Sequence, residues 1–208
     1  MQLRRGDVLD GAMAILDEYG LGDLTMRKLA TSLGVQPGAL YWHFPNKQTL
    51  LGAMADRILD GVDAPPTAQT WDGAITELGY RFRGALLAHR DGAELVAATY
   101  ASRLTTSRAR DAFVAAALDA GLSRAHAELT GYALLHYVLG HTVDEQSRLQ
   151  LAELGALTRG PISPAVTTGT PATSDDDLLD GDPAVRFEFG LTLLVDGVRR
   201  RLTERTSS

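Results

Sequence analysis

The stretch Leu29–Met54, LATSLGVQPGALYWHFPNKQTLLGAM, constrains the fold more than any other part of the chain. Upstream of it, Thr25 is suited to cap a short helix running through Leu33. Gly34 follows, a residue that takes a positive φ without strain and so stops a helix. Pro37 fits the first turn of a second short helix, where its missing N–H is no loss. Pro45 disfavours helix at the residue before it, which ends that second helix near Phe44. Asn46 then caps a third helix carrying Leu50, Leu51, Met54 and Ile58. Two short helices joined by a tight glycine turn form a helix-turn-helix. Ala30 is small enough to let them approach, and Val35 and Leu40 fill the space beneath the turn.

This arrangement gives the cluster Tyr41-Trp42-His43-Phe44 a use. A helix turns about 100° per residue, so four successive rings point four ways. Leu40 and Phe44, four apart, face inward and leave Tyr41, Trp42 and His43 outside. A phenol, an indole N–H and an imidazole can each reach a phosphate or a base edge. The start of the second helix, with Gln36, Pro37, Gly38 and Ala39, is the part that enters a major groove in such a motif. Gly38 and Ala39 add little bulk, Ala39 can touch a thymine methyl, and Gln36 offers an amide. Arg27 can reach a guanine, and Lys47 places a cation near the backbone.

Charge distribution agrees with this reading. Leu24 to Ala55 holds three cations, Arg27, Lys28 and Lys47, and no carboxylate. The net charge is −6, so the rest of the chain carries −9; chance clustering is the competing explanation. The chain lacks cysteine, which excludes disulfides, thiolate metal sites and a cysteine nucleophile. No apolar signal-peptide core follows the first arginines, and no run of about 18 apolar residues suggests a membrane span. A cytoplasmic protein is expected.

Beyond the opening, strand-like alternation is nearly absent and helical spacing recurs. Val8, Ala12, Ile15, Leu16 and Tyr19 share one face of a first helix that stops at Gly20. Asp63 to Thr70, DAPPTAQT, is a turn-rich boundary. Trp71 to His89 reads as a helix with Ile75, Leu78, Phe82, Leu86 and Leu87 on its apolar side, and another helix covers Arg108 to Ala120. Ser123 caps a long helix that is apolar almost all round from Tyr132 to Val143, as expected of one buried on several sides or packed on a second subunit. Residues 154–182, dense in Gly, Pro, Ser, Thr and Asp, read as a flexible loop. Asp182-Pro183 opens a last helix with Phe187, Leu191, Leu194, Val195, Val198 and Leu202 on its face. The expected fold is all-α. It has a helix-turn-helix domain over 1–46, a connecting helix over 47–63 and a helical domain over 64–208.

The string LTMRKLATSLGVQPGALYWHFPNKQTLL resembles the DNA-binding domain of the TetR family of transcriptional regulators, closest to its tetracycline-repressor branch. The pattern L-A-x-x-L-G-V-x-x-x-x-L-Y-x-H-F-x-x-K-x-x-L matches from Leu29 to Leu50 without a gap. FRGALLAHRDGA, LLHYVLGHTVDEQ and FEFGLTLLVDGV are similar to core segments of the second domain. The resemblance places Arg27, Gln36, Pro37, Gly38, Ala39, Tyr41, Trp42, His43 and Lys47 at DNA-contact positions. It also implies a homodimer, built from the long helix and the last helix of each subunit. It implies a small-molecule effector in the C-terminal domain and a palindromic double-stranded operator, bound by a repressor.

Departures from that branch bear on the effector. Val96 stands where a drug-chelating histidine is expected, Leu78 replaces a drug-recognising asparagine, and Asp63 replaces a histidine at the domain junction. Phe82 keeps an aromatic ring and Asp144 keeps a carboxylate. Losing the imidazole and the amide removes polar anchors, so an effector other than tetracycline is expected. Phe82, Val96, Tyr100, Phe113, Tyr137, His136 and Asp144 are the candidate effector residues, with Tyr132 nearby; core packing explains the tyrosines and Phe113 equally well. His136, His141, Asp144 and Glu145 raise the question of a metal, but the further ligands it needs are not identifiable, and polar residues at a dimer seam explain them better. No metal or cofactor is expected. A metal-dependent enzyme and a DNA-binding regulator without ligand control are the rival classes. The sequence holds no G-x-S-x-G, P-loop, G-x-G-x-x-G or H-E-x-x-H motif.

Overall fold

The computed structural model describes residues 3–104, 108–153, 155 and 182–206, and every regular element among them is a helix. In chain order these are α1 (Arg5–Tyr19), α2 (Met26–Ser32), α3 (Pro37–Tyr41), α4 (Lys47–Ile58) and α5 (Trp71–Leu87). They are followed by α6 (Gly92–Ala101), α7 (Arg108–Asp119), α8 (Arg124–Glu153) and α9 (Pro183–Thr206). The loop expected over 154–182 lies, apart from Gly155 and Asp182, outside the described residues.

Local chemistry sets the ends of the first helices. Thr25 Oγ1 accepts the Lys28 amide at 3.0 Å and starts α2. Gly34, at φ +65°, turns the chain between α2 and α3, and Val35 N donates to Ala30 O at 3.0 Å to close the turn. Asn46 Oδ1 accepts the Thr49 amide at 2.8 Å and opens α4. Three bounds differ from the sequence reading by two residues or more. α3 ends at Tyr41 rather than near Phe44, because the His43 and Phe44 amides both turn back to Leu40 O, at 2.9 Å each. α4 stops at Ile58 rather than reaching residue 63. Beyond it Val62 folds back under a turn, its amide on Leu59 O at 3.1 Å, and is buried there. α5 ends at Leu87, two residues before His89.

α6 carries no amphipathic stripe that spacing could mark. Its Gly92, Ala93, Leu95, Val96 and Thr99 are buried, and its N-cap, Asp91, sits at φ +54° without a side-chain cap. Tyr19 leaves the buried face of α1: it is exposed, with Lys28 Nζ 3.5 Å from its ring centroid.

Among the described residues the larger of two apolar cores runs from Val8, Leu16, Leu29, Leu40 and Phe44 to Phe82, Phe113, Val138 and Val195, and a smaller one gathers Val114, Leu122 and Val198. α8 packs on α5, α6, α7 and α9. Only one side of its middle is covered: Leu134, Leu135, Val138, Leu139 and Thr142 are buried, whereas Tyr132 and His136 are exposed. The first four helices meet the rest where α4 lies on α6. There a Cβ on Gly52 would sit 2.5 Å from Leu104 O, so a larger residue would push the helix away.

Candidate nucleic-acid interface and effector cleft

The segment after Gly34 is held from below and open above. Leu40 and Phe44 are fully buried. Arg5 braces the end of the segment from α1: its guanidinium lies 4.2 Å from the Phe44 ring centroid, and Nη1 donates to His43 O at 3.0 Å. On the outer side, Gln36, Pro37, Gly38 and Tyr41 are exposed, and Ala39 and His43 are half-buried. Trp42 is 90% exposed. An indole left in water forgoes roughly 4 kcal/mol of burial free energy at ~25 cal/mol/Å². No contact among the described residues offsets that loss. Gly38 fits the same pattern. Glycine within a helix costs about 1 kcal/mol relative to alanine, yet a Cβ there would meet nothing within 4 Å.

Cations flank this surface. Arg27 is exposed on α2 and Lys47 half-buried at the first position of α4. Lys28 is directed elsewhere, 3.5 Å from Asp23 and over Tyr19. Of the nine residues marked in the sequence as DNA contacts, Arg27 falls on α2, Pro37, Gly38, Ala39 and Tyr41 on α3 and Lys47 at the start of α4, while Gln36, Trp42 and His43 flank α3; none is part of the fully buried core.

The seven candidate effector residues do not form one site. Phe82, Val96 and Phe113 are buried in the core. Tyr100 is half-buried next to them; burial pushes its hydroxyl up to about 12. Tyr137 is used structurally: its hydroxyl donates to Phe187 O at 2.8 Å, and its ring stacks on Phe187 at 5.7 Å. His136 and Asp144 lie on the exposed side of α8. His136 Nδ1 is 2.7 Å from Tyr132 O, and Asp144 accepts from Arg148 Nε at 2.8 Å.

Two features escaped the sequence reading. The first is a buried ion pair between α5 and α8, with Arg83 Nε 2.8 Å from Glu145 Oε2 and Nη2 2.5 Å from Oε1. His141 sits beside it, with Nδ1 3.8 Å from Glu145, and burial holds its imidazole below the ordinary range. Helical spacing pairs His141 with Glu145, but nothing in the sequence pairs Arg83 with a residue 62 positions away. The second is a cleft of about 790 Å³ between the α4–α5 connection, the start of α5 and α7, lined by Asp63, Trp71, Leu78, Ala112 and Asp119 among others. None of the seven candidate residues lines it. Asp63 and Leu78, marked as departures from the family pattern, do. Among the described residues no group of three or more His, Asp or Glu side chains could hold a metal ion. No helix there is long and apolar enough to cross a membrane.

Comparison with known proteins agrees with the architecture at both ends. Residues 8–54 match the model of bacterial regulatory proteins of the tetR family, and residues 64–202 match the tetracyclin repressor-like C-terminal domain. The class A tetracycline repressor of transposon 1721 from Escherichia coli is 34% identical over 212 residues, covering 98% of this chain and 94% of that protein. The crystal structure of BioQ from Mycobacterium smegmatis superposes with a TM-score of 0.79 at 43% identity, over 95% of this chain and 98% of that one. A BioQ structure with its natural double-stranded DNA operator superposes with a TM-score of 0.74 at 41% identity, over the same shares of the two chains. With a family model over more than half its length, and relatives of this identity along nearly all of it, the chain belongs to the tetR family of bacterial regulatory proteins.

Proposed function

We propose that the chain is a cytoplasmic, ligand-responsive repressor. It binds a palindromic operator as a homodimer and is released by a small-molecule effector other than tetracycline. Residues 1–46 form the DNA-binding head, 47–63 the connection, and 64–208 the effector-binding and dimerisation body. The work is binding rather than catalysis. The observation that carries this reading is the braced, outward-facing surface around Trp42, whose indole is exposed and whose Gly38 meets open space among the described residues. Gln36, Pro37, Gly38 and Ala39 lie against base edges, Tyr41, Trp42 and His43 against bases or phosphates, and Arg27 and Lys47 flank them as cations.

Dimerisation is supported by an apolar face that one copy leaves in water. On α8 Leu129 is 65% exposed, and on α9 Phe189 and Leu193 are 67% and 57% exposed. Pairing α8 and α9 of two copies covers this face and sets two heads about one duplex turn apart, roughly 34 Å. Phe189→Asp with Leu193→Asp should therefore give a monomer by analytical ultracentrifugation and abolish high-affinity operator binding.

Effector binding can lower operator affinity only by favouring a conformer with another head spacing. Contacts between head and body suit that role. α4 bears on Leu104 through Gly52. Asp91, at the start of α6, accepts the Leu21 amide of the head at 2.7 Å and the Gln150 side-chain amide of α8. Apolar Leu78 and Val96, both buried, offer no anchor for a chelated drug, which supports a different effector. Capture of duplex DNA from a random library, followed by sequencing, tests the DNA reading: an enriched inverted repeat is expected, and an unenriched pool would refute it. Operator affinity measured across an effector panel tests ligand control.

A further inference from the structure

We infer that Arg5 is a positioning residue for operator recognition: from the first turn of α1 its guanidinium fixes the backbone that aims Trp42 and His43, without itself meeting DNA. This inference rests on the reading that the surface around Trp42 binds duplex DNA, and it adds what holds that surface in register.

The segment needs a tie from elsewhere. α3 has five residues, and a helix that short does not hold itself. Residues 42–46, between α3 and α4, belong to no helix. Leu40 O takes the amides of both His43 and Phe44, and Pro45 has no amide to give. The Phe44 ring anchors this stretch from below, but one ring does not fix the peptide plane above it. Arg5 does, by taking the His43 carbonyl across 38 positions of sequence.

Two contacts set the guanidinium at once. Its Cζ lies 4.2 Å from the Phe44 ring centroid, and Nη1 donates to His43 O at 3.0 Å. A planar fork can stack on a ring while donating along its edge, whereas a lysine ammonium is a point charge that must choose. The base of the brace is itself fixed. The Arg4 amide donates to Asp7 Oδ2 at 2.8 Å, and Val8 and Ala12, further along α1, are fully buried. The braced carbonyl belongs to His43 and lies next to Trp42, the two side chains that leave the end of α3 toward the outside. Contacts in a recognition site must be held to within about 0.5 Å, so freeing this carbonyl loosens both. Arg5 is exposed, and a direct grip on a phosphate is the rival use of its charge. The two uses differ in what they do to sequence preference and to salt dependence.

The test uses the full chain, a duplex carrying the inverted repeat enriched from the random library, and a scrambled duplex of the same composition. Arg5→Met should lose at least tenfold on the repeat and less than threefold on the scrambled duplex, with the slope of log affinity against log salt unchanged. Arg5→Lys keeps the charge but not the fork, and should stay more than threefold below the parent on the repeat. In the protein without DNA, the His43 and Phe44 amides should exchange with solvent at least fivefold faster in Arg5→Met, while amides in the middle of α5 keep their rate. A slope lower by about 1, with equal losses on both duplexes, marks a phosphate contact and overturns the inference. So does an Arg5→Lys protein within threefold of the parent, unchanged exchange at His43 and Phe44, or a parallel rise in α5. A parent that enriches no repeat refutes the DNA reading and this inference with it; a parent that binds its repeat no better than Arg5→Met does overturns this inference alone.

Discussion

The two tryptophans of the chain sit in opposite physical situations. Trp42, in the head, is almost wholly in water on a segment pinned from beneath. Trp71, at the start of α5, is half-buried, packs against a small cluster with Val114, Leu122 and Val198, and forms part of a cleft wall. The head exposes a ring that its own fold leaves uncovered, and in the proposed function a partner covers it. In the body the rings that could touch a ligand also hold the core together, and folding accounts for them whether or not a ligand exists. A binding surface for a large, rigid partner is therefore visible as a violation of burial. A site for a small ligand is concealed within the ordinary logic of the core.

The sharpest way to break this comparison is to attack what holds Trp42 in place. Phe44 is fully buried beneath the segment and capped by Arg5. Phe44→Ala should lower the unfolding free energy by about 3–5 kcal/mol, the range for emptying a large buried ring site, measured by chemical denaturation. Operator binding should fall with it. If the head kept its stability without this ring, the exposed surface would not be a braced one.

Exchanging the two indoles for alanine separates their roles. Trp42→Ala should change stability by less than about 0.5 kcal/mol, as an exposed substitution does, yet weaken operator binding by about 1–3 kcal/mol. Trp71→Ala should do the reverse. It should cost about 2 kcal/mol of stability, less than a fully buried tryptophan because the ring is only half covered, and leave ligand-free operator affinity unchanged. Denaturation and gel-shift titration on the same two variants decide the matter. A Trp42→Ala protein that binds its operator normally would remove the main support for the interface.

The same contrast explains what could be read from the chain. The head was legible because its punctuation is local: Thr25, Gly34, Pro37 and Asn46 act on backbone within three residues of themselves, and each did so. Its errors were local too. α3 ended early because two amides compete for Leu40 O, a detail spacing does not encode. The body depends on contacts between distant positions. Arg83 meets Glu145, and Asp91 meets Leu21 and Gln150. α6 escaped because a helix apolar on most sides has no periodicity to detect. Phe82 and Phe113, among the candidate effector residues, lie in the buried core, while the cleft is lined by alanines, prolines and carboxylates, residue types that no spacing in the sequence marks as a wall.

A smaller effect sharpens the description of the head. Lys47 carries one of the few cations flanking the surface and is not engaged in any ion pair among the described residues. If it faces a phosphate, Lys47→Ala should weaken binding about equally for all DNA sequences and reduce the slope of log affinity against log salt by about 1. Gel-shift titrations over a range of salt read the slope directly. A change in sequence preference instead would move Lys47 from backbone to base contact.

The smallest effect belongs to the body and depends on pH. Burial holds the His141 imidazole below its ordinary value of about 6.5; Glu145 and Asp144 pull the other way, while Arg83 on α5 and Arg186 on α9 add to the lowering. The unfolded chain therefore takes up this proton before the folded one does, so protonation favours unfolding. The contribution of neutral His141 is complete above about pH 6.5 and is lost as pH falls through that value toward the lowered one. His141→Gln removes the titrating group while keeping a polar side chain beside Glu145, so its stability should fall less between about pH 7 and pH 5 than that of the parent. Denaturation curves at the two pH values compare them. A parallel loss in both proteins would mean that the acid sensitivity of the body arises elsewhere and that the imidazole beside the Arg83–Glu145 pair takes up its proton alike in the folded and unfolded chains.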